Sequence, residues 1–164
     1  MKENKVLFLT RAALIAAVYV VLCMAFAPIS YGEVQVRVAE AWVILPYFTP
    51  AAIPGLFIGC FLSNMIGGSI LVDVVFGSLA TLVGALGSWY FRKSRILVML
   101  PPVVANTLVV PFVLRYGYGV PLPIPFMMLT VGIGEVIAVV VFGGILLQVL
   151  SRYRGFLFGR SGLL

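Results

Sequence analysis

Long apolar runs alternate with short polar segments along the whole chain of 164 residues. Each run spreads its hydrophobic residues around the full circumference of a helix, which is typical of segments that cross a membrane. Proline, glycine and charged residues separate the runs and predict where each helix ends. We predict one domain, residues 1–164, folded as an all-α integral membrane protein with six transmembrane helices at 6–27, 39–48, 51–66, 72–91, 96–114 and 126–150.

Composition agrees with a polytopic membrane protein. Hydrophobic residues make up 63% of the chain and charged residues 10%, whereas soluble domains contain about 45–50% apolar residues. The sequence has no histidine, and both cysteines, Cys23 and Cys60, lie inside apolar runs, where we expect them to pack as small apolar residues. These features predict neither a metal site nor a resident cofactor in this chain.

The basic residues predict a topology. With the amino terminus in the cytoplasm, every lysine and arginine except Arg37 and Arg115 lies on the cytoplasmic side, as the positive-inside rule requires. Both termini are then cytoplasmic. The positive charges are scattered over segment ends and form no continuous patch, so nucleic acid is not a predicted partner although the net charge is +6.

The most polar part of the chain is the first loop, residues 28–38, together with the start of the second helix. Here Glu33, Gln35 and Arg37 alternate with valines, so an extended segment would present its polar side chains on one face. The predicted topology places this loop outside, where it can close over a ligand. The acids at the outer ends of the helices converge beside it, namely Glu40, Asp73 and Glu135.

Glu135 is the strongest candidate for a binding residue because it lies inside the last predicted helix. An ionised side chain at membrane depth costs at least about 2.5–3.5 kcal/mol, so this carboxylate should face a cavity or a partner. A structural salt bridge, for example with Arg37, is the alternative. Asn64 and Asn106 lie in helices that point the same way, and they either contact a ligand or hydrogen-bond between helices.

Residues at the outer boundary also have two interpretations. Arg37 and Glu40 are three residues apart, so they either take part in the site or form a salt bridge at the edge of the loop. Tyr31 and Tyr118 either stack on a flat ligand or anchor the protein at the lipid headgroups.

Small residues in the first helix form a face on which another helix can pack closely. Ala12 with Ala16, and Ala13 with Ala17, are spaced by four residues and lie on neighbouring strips of that face. This spacing leaves two interpretations open, which are packing against another helix of this chain and docking of a partner protein.

The sequence does not predict an enzyme. It lacks a glycine-rich phosphate loop with Lys and Ser or Thr, a nucleophile beside a histidine base, and a metal-binding motif. A chain without a nucleotide site cannot by itself use ATP to drive uphill transport, so such transport would need partner ATPases.

Several sequence blocks, in order, resemble the QueT family of queuosine-precursor transporters. The blocks are PISYG at 28–32, QVRVAEA at 35–41, LPYFTPAAIPGL at 45–56, DVVFGSLAT at 73–81, PPVVAN at 101–106 and GIGE at 132–135. Two positions depart from the family pattern. Val36 stands where a larger apolar or aromatic residue is expected, and Glu33 stands where no acid is required.

The resemblance implies a six-helix S component of an energy-coupling factor (ECF) transporter in a prokaryotic plasma membrane. Such a subunit binds its substrate from outside, under a lid formed by the first loop. The ECF module, a shared membrane subunit with two ATPases, then topples it and releases the substrate inside, so ATP acts only on the partner subunits. The alanines that would form the docking face for the shared subunit are Ala12, Ala13, Ala16 and Ala17.

The resemblance also implies the ligand, 7-aminomethyl-7-deazaguanine or a related 7-deazaguanine or queuine. A carboxylate can accept the N–H donors of such a base, and a second carboxylate can hold an ammonium. We assign Glu135 to the guanine-like edge, Asp73 or Glu40 to the ammonium, and Arg37 to fixing the lid. The other predicted substrate contacts are Gln35, Asn106, Asn64 and Tyr31. The alternatives are an S component for another vitamin or nucleobase, a solitary channel or secondary transporter, and a structural membrane protein.

Overall fold

The computed structural model describes residues 5–26, 37–153 and 155. Within these ranges the chain forms helices and turns without any strand, as the apolar pattern predicts. The largest departure from the predicted bounds is at the end of the fifth helix, which continues to Gly117. The helices are α1 Lys5–Ala25, α2 Val38–Tyr47, α3 Ala52–Ile66, α4 Leu71–Tyr90, α5 Leu97–Gly117 and α6 Ile124–Arg152.

Four of these helices, α1, α4, α5 and α6, are long and apolar enough to cross a membrane. The other two, α2 and α3, are shorter apolar helices. The ten residues of α2 form a 3-10 helix, which at a rise of about 2.0 Å per residue extends over about 20 Å. The 15 residues of α3 extend over about 22 Å. The described part of the chain is therefore all-helical with four candidate spans, while six spans and cytoplasmic termini stay predictions.

The short helix α2 lies at the centre of the bundle. It contacts all five other helices, and Ala39, Val43 and Ile44 are completely buried. Pro46 and Pro50 lack the N–H groups that would continue a helix, which explains why α2 ends at Tyr47. The central position of α2 matters for function because it carries Glu40 into the interior.

Small residues bring α1 and α3 into close contact. A Cβ atom at Gly55 would lie 2.7 Å from the Ala12 carbonyl oxygen, and one at Gly59 would lie 3.1 Å from the Ala16 Cα. Small side chains at four-residue spacing on both helices permit this approach. Ala12 and Ala16 are therefore buried in packing within the chain.

The other alanine pair of α1 faces outward. Ala13 and Ala17 are exposed, because they lie on the strip next to the one that packs on α3. Partner docking stays a prediction, and this pair is the part of the alanine face that remains accessible to a partner.

Gly55→Ala should lower the free energy of unfolding by about 1–3 kcal/mol, because its Cβ meets a backbone oxygen that moves only if α1 moves. Gly144→Ala is the matched control, since a Cβ there would lie 3.6 Å from the Met99 Cε, an ordinary contact. It should stabilise α6 by up to about 1 kcal/mol through helix propensity. Unfolding in mixed micelles with increasing dodecyl sulfate measures both values. Equal stability of the two variants would contradict the close α1–α3 packing.

Candidate functional site

Buried polar side chains from all six helices converge at the end of the bundle where α3 ends and α4 begins. The cluster holds three carboxylates and one guanidinium, and each of its residues is at most 6% exposed. Burial of so much charge in an apolar bundle is expensive unless the groups are paired or serve a ligand. Its members, which we call the polar cluster, are Tyr19, Arg37, Glu40, Asn64, Asp73, Asn106 and Glu135.

Asp73, at the start of α4, joins three other parts of the chain. Arg37 Nη2 lies 3.5 Å from Asp73 Oδ2, and the Tyr118 hydroxyl donates to the same oxygen at 2.9 Å. The Asn64 amide donates to the Asp73 backbone carbonyl at 3.3 Å. Asp73 thereby links the residue before α2, the end of α3 and the α5–α6 connection.

Two local features support the position of Asp73. Gly77, one turn further along α4, leaves room for the carboxylate, because a Cβ there would lie 2.8 Å from Asp73 Oδ1. Partial burial raises the pKa of the Tyr118 phenol above its ordinary value. The hydroxyl therefore stays protonated at neutral pH and remains a hydrogen-bond donor to Asp73.

Glu40 is held by a residue of α1 that the sequence did not indicate. The hydroxyl of Tyr19, which is completely buried, donates to Glu40 Oε1 at 2.5 Å. A buried tyrosine hydroxyl needs a hydrogen-bond partner. Nothing else in the sequence indicates that a tyrosine within an apolar run makes a polar contact. The contact fixes the Glu40 carboxylate and leaves its other oxygen facing the cluster.

Glu135 is held in the same way by Asn106, whose side-chain amide donates to Glu135 Oε1 at 3.0 Å. Glu40 and Glu135 are close enough to interact electrostatically. The second oxygens of both carboxylates are buried and accept no hydrogen bond from any described residue. Buried acceptors without a donor are unfavourable, so the two open oxygens suit a ligand that brings N–H groups.

The space between these groups is small in this conformation. Arg37, Asn106 and Glu135 line a cavity of about 10 Å³ together with Val110 and Val131, which is roughly the room that one water molecule needs. A nucleobase therefore requires the site to open. Arg37 belongs to the end of the loop at 28–38 that is predicted to be the lid, so its movement would enlarge this cavity.

Of the predicted substrate contacts, the structure brings together Arg37, Glu40, Asn64, Asp73, Asn106 and Glu135. The Asn64 amide forms the hydrogen bond between helices that its structural interpretation predicted, since it donates to the Asp73 backbone carbonyl of α4; its contact with the Cys60 sulfur lies within α3. Tyr31 and Gln35, like most of the lid at 28–38, lie outside the described residues. The residues that sequence reasoning missed are Tyr19 and, as a partner of Asp73, Tyr118.

Comparison with known proteins gives two matches. The sequence profile of the family described as QueT transporter matches residues 9–152. A curated relative, the "Queuosine precursor transporter QueT" of Lactococcus lactis subsp. cremoris (strain MG1363), is 39% identical over 85 residues. That alignment covers 51% of this chain and 50% of the relative, so the match spans about half the length of each. No solved structure gives a significant match.

Proposed function

The chain belongs to the QueT transporter family, and we propose that it binds a queuosine precursor, a 7-deazaguanine base, and carries it across the membrane. The observation that carries the proposal is the pair of open carboxylate oxygens on Glu40 and Glu135. Two buried acceptors in an apolar bundle suit a flat ligand with several N–H donors.

Glu135 is the residue we assign to the base. The edge of 7-deazaguanine presents a ring N–H and an amino group side by side, and a carboxylate accepts both. Asn106 donates to one of the Glu135 oxygens, which orients the carboxylate and leaves lone pairs on both oxygens for the base. Asn106 is thus a positioning residue for Glu135 in this proposal.

Glu40 is the residue we assign to the aminomethyl ammonium. The sequence left Asp73 and Glu40 as alternatives, but the Asp73 carboxylate is already engaged by Arg37 and Tyr118. Glu40 has one oxygen held by Tyr19 and one that is open. Three carboxylates against one guanidinium also give the polar cluster an excess of acids, which favours a cationic ligand.

The transport step follows from the family resemblance. In our proposal the chain is a non-enzymatic S component in the cell membrane, and the ATPases of an ECF module drive release of the substrate inside. Ala13 and Ala17, on the exposed strip of α1, are the docking residues for the shared membrane subunit.

Calorimetry with the purified protein in nanodiscs tests the ligand and the role of Glu40 together. We expect 7-aminomethyl-7-deazaguanine to bind about tenfold to a hundredfold more tightly than its uncharged nitrile relative, since a charge-assisted hydrogen bond contributes about 1.5–3 kcal/mol. Glu40→Gln should abolish this preference while leaving the affinity for the nitrile nearly unchanged, which also reports an intact fold. Riboflavin serves as the unrelated ligand.

Two results would count against these assignments. Failure of the wild-type protein to bind any 7-deazaguanine would refute the proposed function. Binding with an unchanged preference in Glu40→Gln would refute only the role of Glu40 and would return Asp73 as the candidate for the ammonium.

A further inference from the structure

A second polar surface lies at the opposite end of the bundle from the polar cluster. It is a groove of about 570 Å³ between the α4–α5 connection and the last turns of α6. Two arginines from these separate elements, Arg95 and Arg152, border it and are both exposed. The groove is completed by Gln148, Val149, Ser151 and Tyr153.

The two arginines of this groove have no counter-charge among the described residues. Every acid among the described residues belongs to the polar cluster at the other end. Within the described part of the chain, neither Arg95 nor Arg152 forms an ion pair or a side-chain hydrogen bond. The Ser151 hydroxyl oxygen beside the groove is buried and also has no hydrogen-bond partner among the described residues. Two exposed guanidinium groups in one groove are a donor set for an anion.

The neighbouring Arg92 differs from this pair. Its guanidinium lies 3.7 Å from the centroid of the Trp89 ring and donates to the Trp89 carbonyl oxygen at 3.3 Å. The Arg92 guanidinium is therefore already engaged by Trp89 in the last turn of α4. It has the same charge at the same end of the bundle, so it serves as a matched control for Arg95 and Arg152.

The surroundings of the groove indicate where the anion comes from. Ile96 is 81% exposed next to Arg95, and Tyr153 is 55% exposed next to Arg152. Apolar and tyrosine side chains beside arginines are typical of the boundary between hydrocarbon and headgroups. We propose that this groove binds the phosphate headgroup of an anionic phospholipid, in the leaflet that the charge distribution predicts to be cytoplasmic.

Native mass spectrometry of the protein released from bilayers with equal amounts of phosphatidylglycerol and phosphatidylcholine tests this proposal. The wild-type protein should retain phosphatidylglycerol in preference. Each basic residue near an anionic membrane contributes about 1 kcal/mol, so Arg95→Gln and Arg152→Gln should each lower retention about fivefold, and the double variant about thirtyfold. Arg92→Gln should change retention less than about twofold, because Trp89 already engages that guanidinium.

Three outcomes would overturn the lipid site. They are equal retention of the two lipids by the wild-type protein, full retention of phosphatidylglycerol by the double variant, and displacement of the lipid by millimolar glycerol phosphate. The last result would assign the groove to a soluble anion. If the double variant does not fold, the fivefold losses expected for the single variants decide the question.

Discussion

Replacing Glu135 with Gln should lower the affinity for 7-aminomethyl-7-deazaguanine about a hundredfold, which corresponds to about 2.7 kcal/mol. Gln has nearly the same size and can still accept from Asn106, so the packing of α5 on α6 is preserved. Its amide nitrogen, however, replaces an acceptor with a donor opposite an N–H group of the base. A buried ligand donor without an acceptor costs about 1–3 kcal/mol, and the lost charge weakens the second hydrogen bond. Calorimetry measures the change directly.

The pattern across two ligands separates the two carboxylates. Glu135→Gln should weaken the aminomethyl and nitrile forms equally, because both present the same base edge. Glu40→Gln should weaken the aminomethyl form alone. The reverse pattern would exchange the two roles, and unchanged affinity in Glu135→Gln would remove this residue from the site. The free energy of unfolding of each variant, measured in mixed micelles, controls for structural damage.

The helices of this protein were predictable because breaks in the apolar sequence coincide with breaks in the backbone. Pro50 precedes α3, and Gly68, whose φ of 74° suits glycine, lies in the turn after it. The 3-10 geometry of α2 was not predictable. Its residues are apolar on all sides, so the sequence has no periodicity that would distinguish an α-helix from a 3-10 helix. Its predicted length of ten residues, however, was already short of the roughly 20 residues that a full span needs.

The members of the polar cluster were predictable for a simple reason. Burying a charged or amide side chain in an apolar helix costs free energy, so such a residue usually pairs with another polar group or serves a ligand. This rule singled out Asp73, Asn106 and Glu135. Their partners depend on distances between helices that no local pattern encodes. Arg37 was considered with Glu40 or Glu135, yet its guanidinium lies beside Asp73.

Tyr19 shows the limit of sequence reasoning most directly. A tyrosine within an apolar run looks like an ordinary packing residue, and only the Glu40 carboxylate at 2.5 Å gives its hydroxyl a role. The alanine face of α1 shows the same limit, because four-residue spacing cannot distinguish the strip that packs on α3 from the exposed strip beside it.

Arg37→Met should lower the free energy of unfolding by about 3–5 kcal/mol, because it leaves the Asp73 carboxylate buried without its counter-charge. Combining it with Asp73→Asn should restore most of this loss, since the double variant buries no unpaired charge at that position. Arg115→Met is the control, because Arg115 is exposed and its loss should change stability by less than about 0.5 kcal/mol.

Unfolding of the wild-type protein, Arg37→Met, Asp73→Asn and the double variant in mixed micelles closes the double-mutant cycle. If the effects of Arg37→Met and Asp73→Asn simply add, the contact at 3.5 Å contributes no stability and Asp73 does not anchor Arg37. A large coupling energy would instead mean that Arg37, at the end of the predicted lid, is fixed to the start of α4. Because Arg37 also lines the cavity beside Glu135, opening the site would then require breaking this ion pair, and Asp73→Asn should speed ligand association.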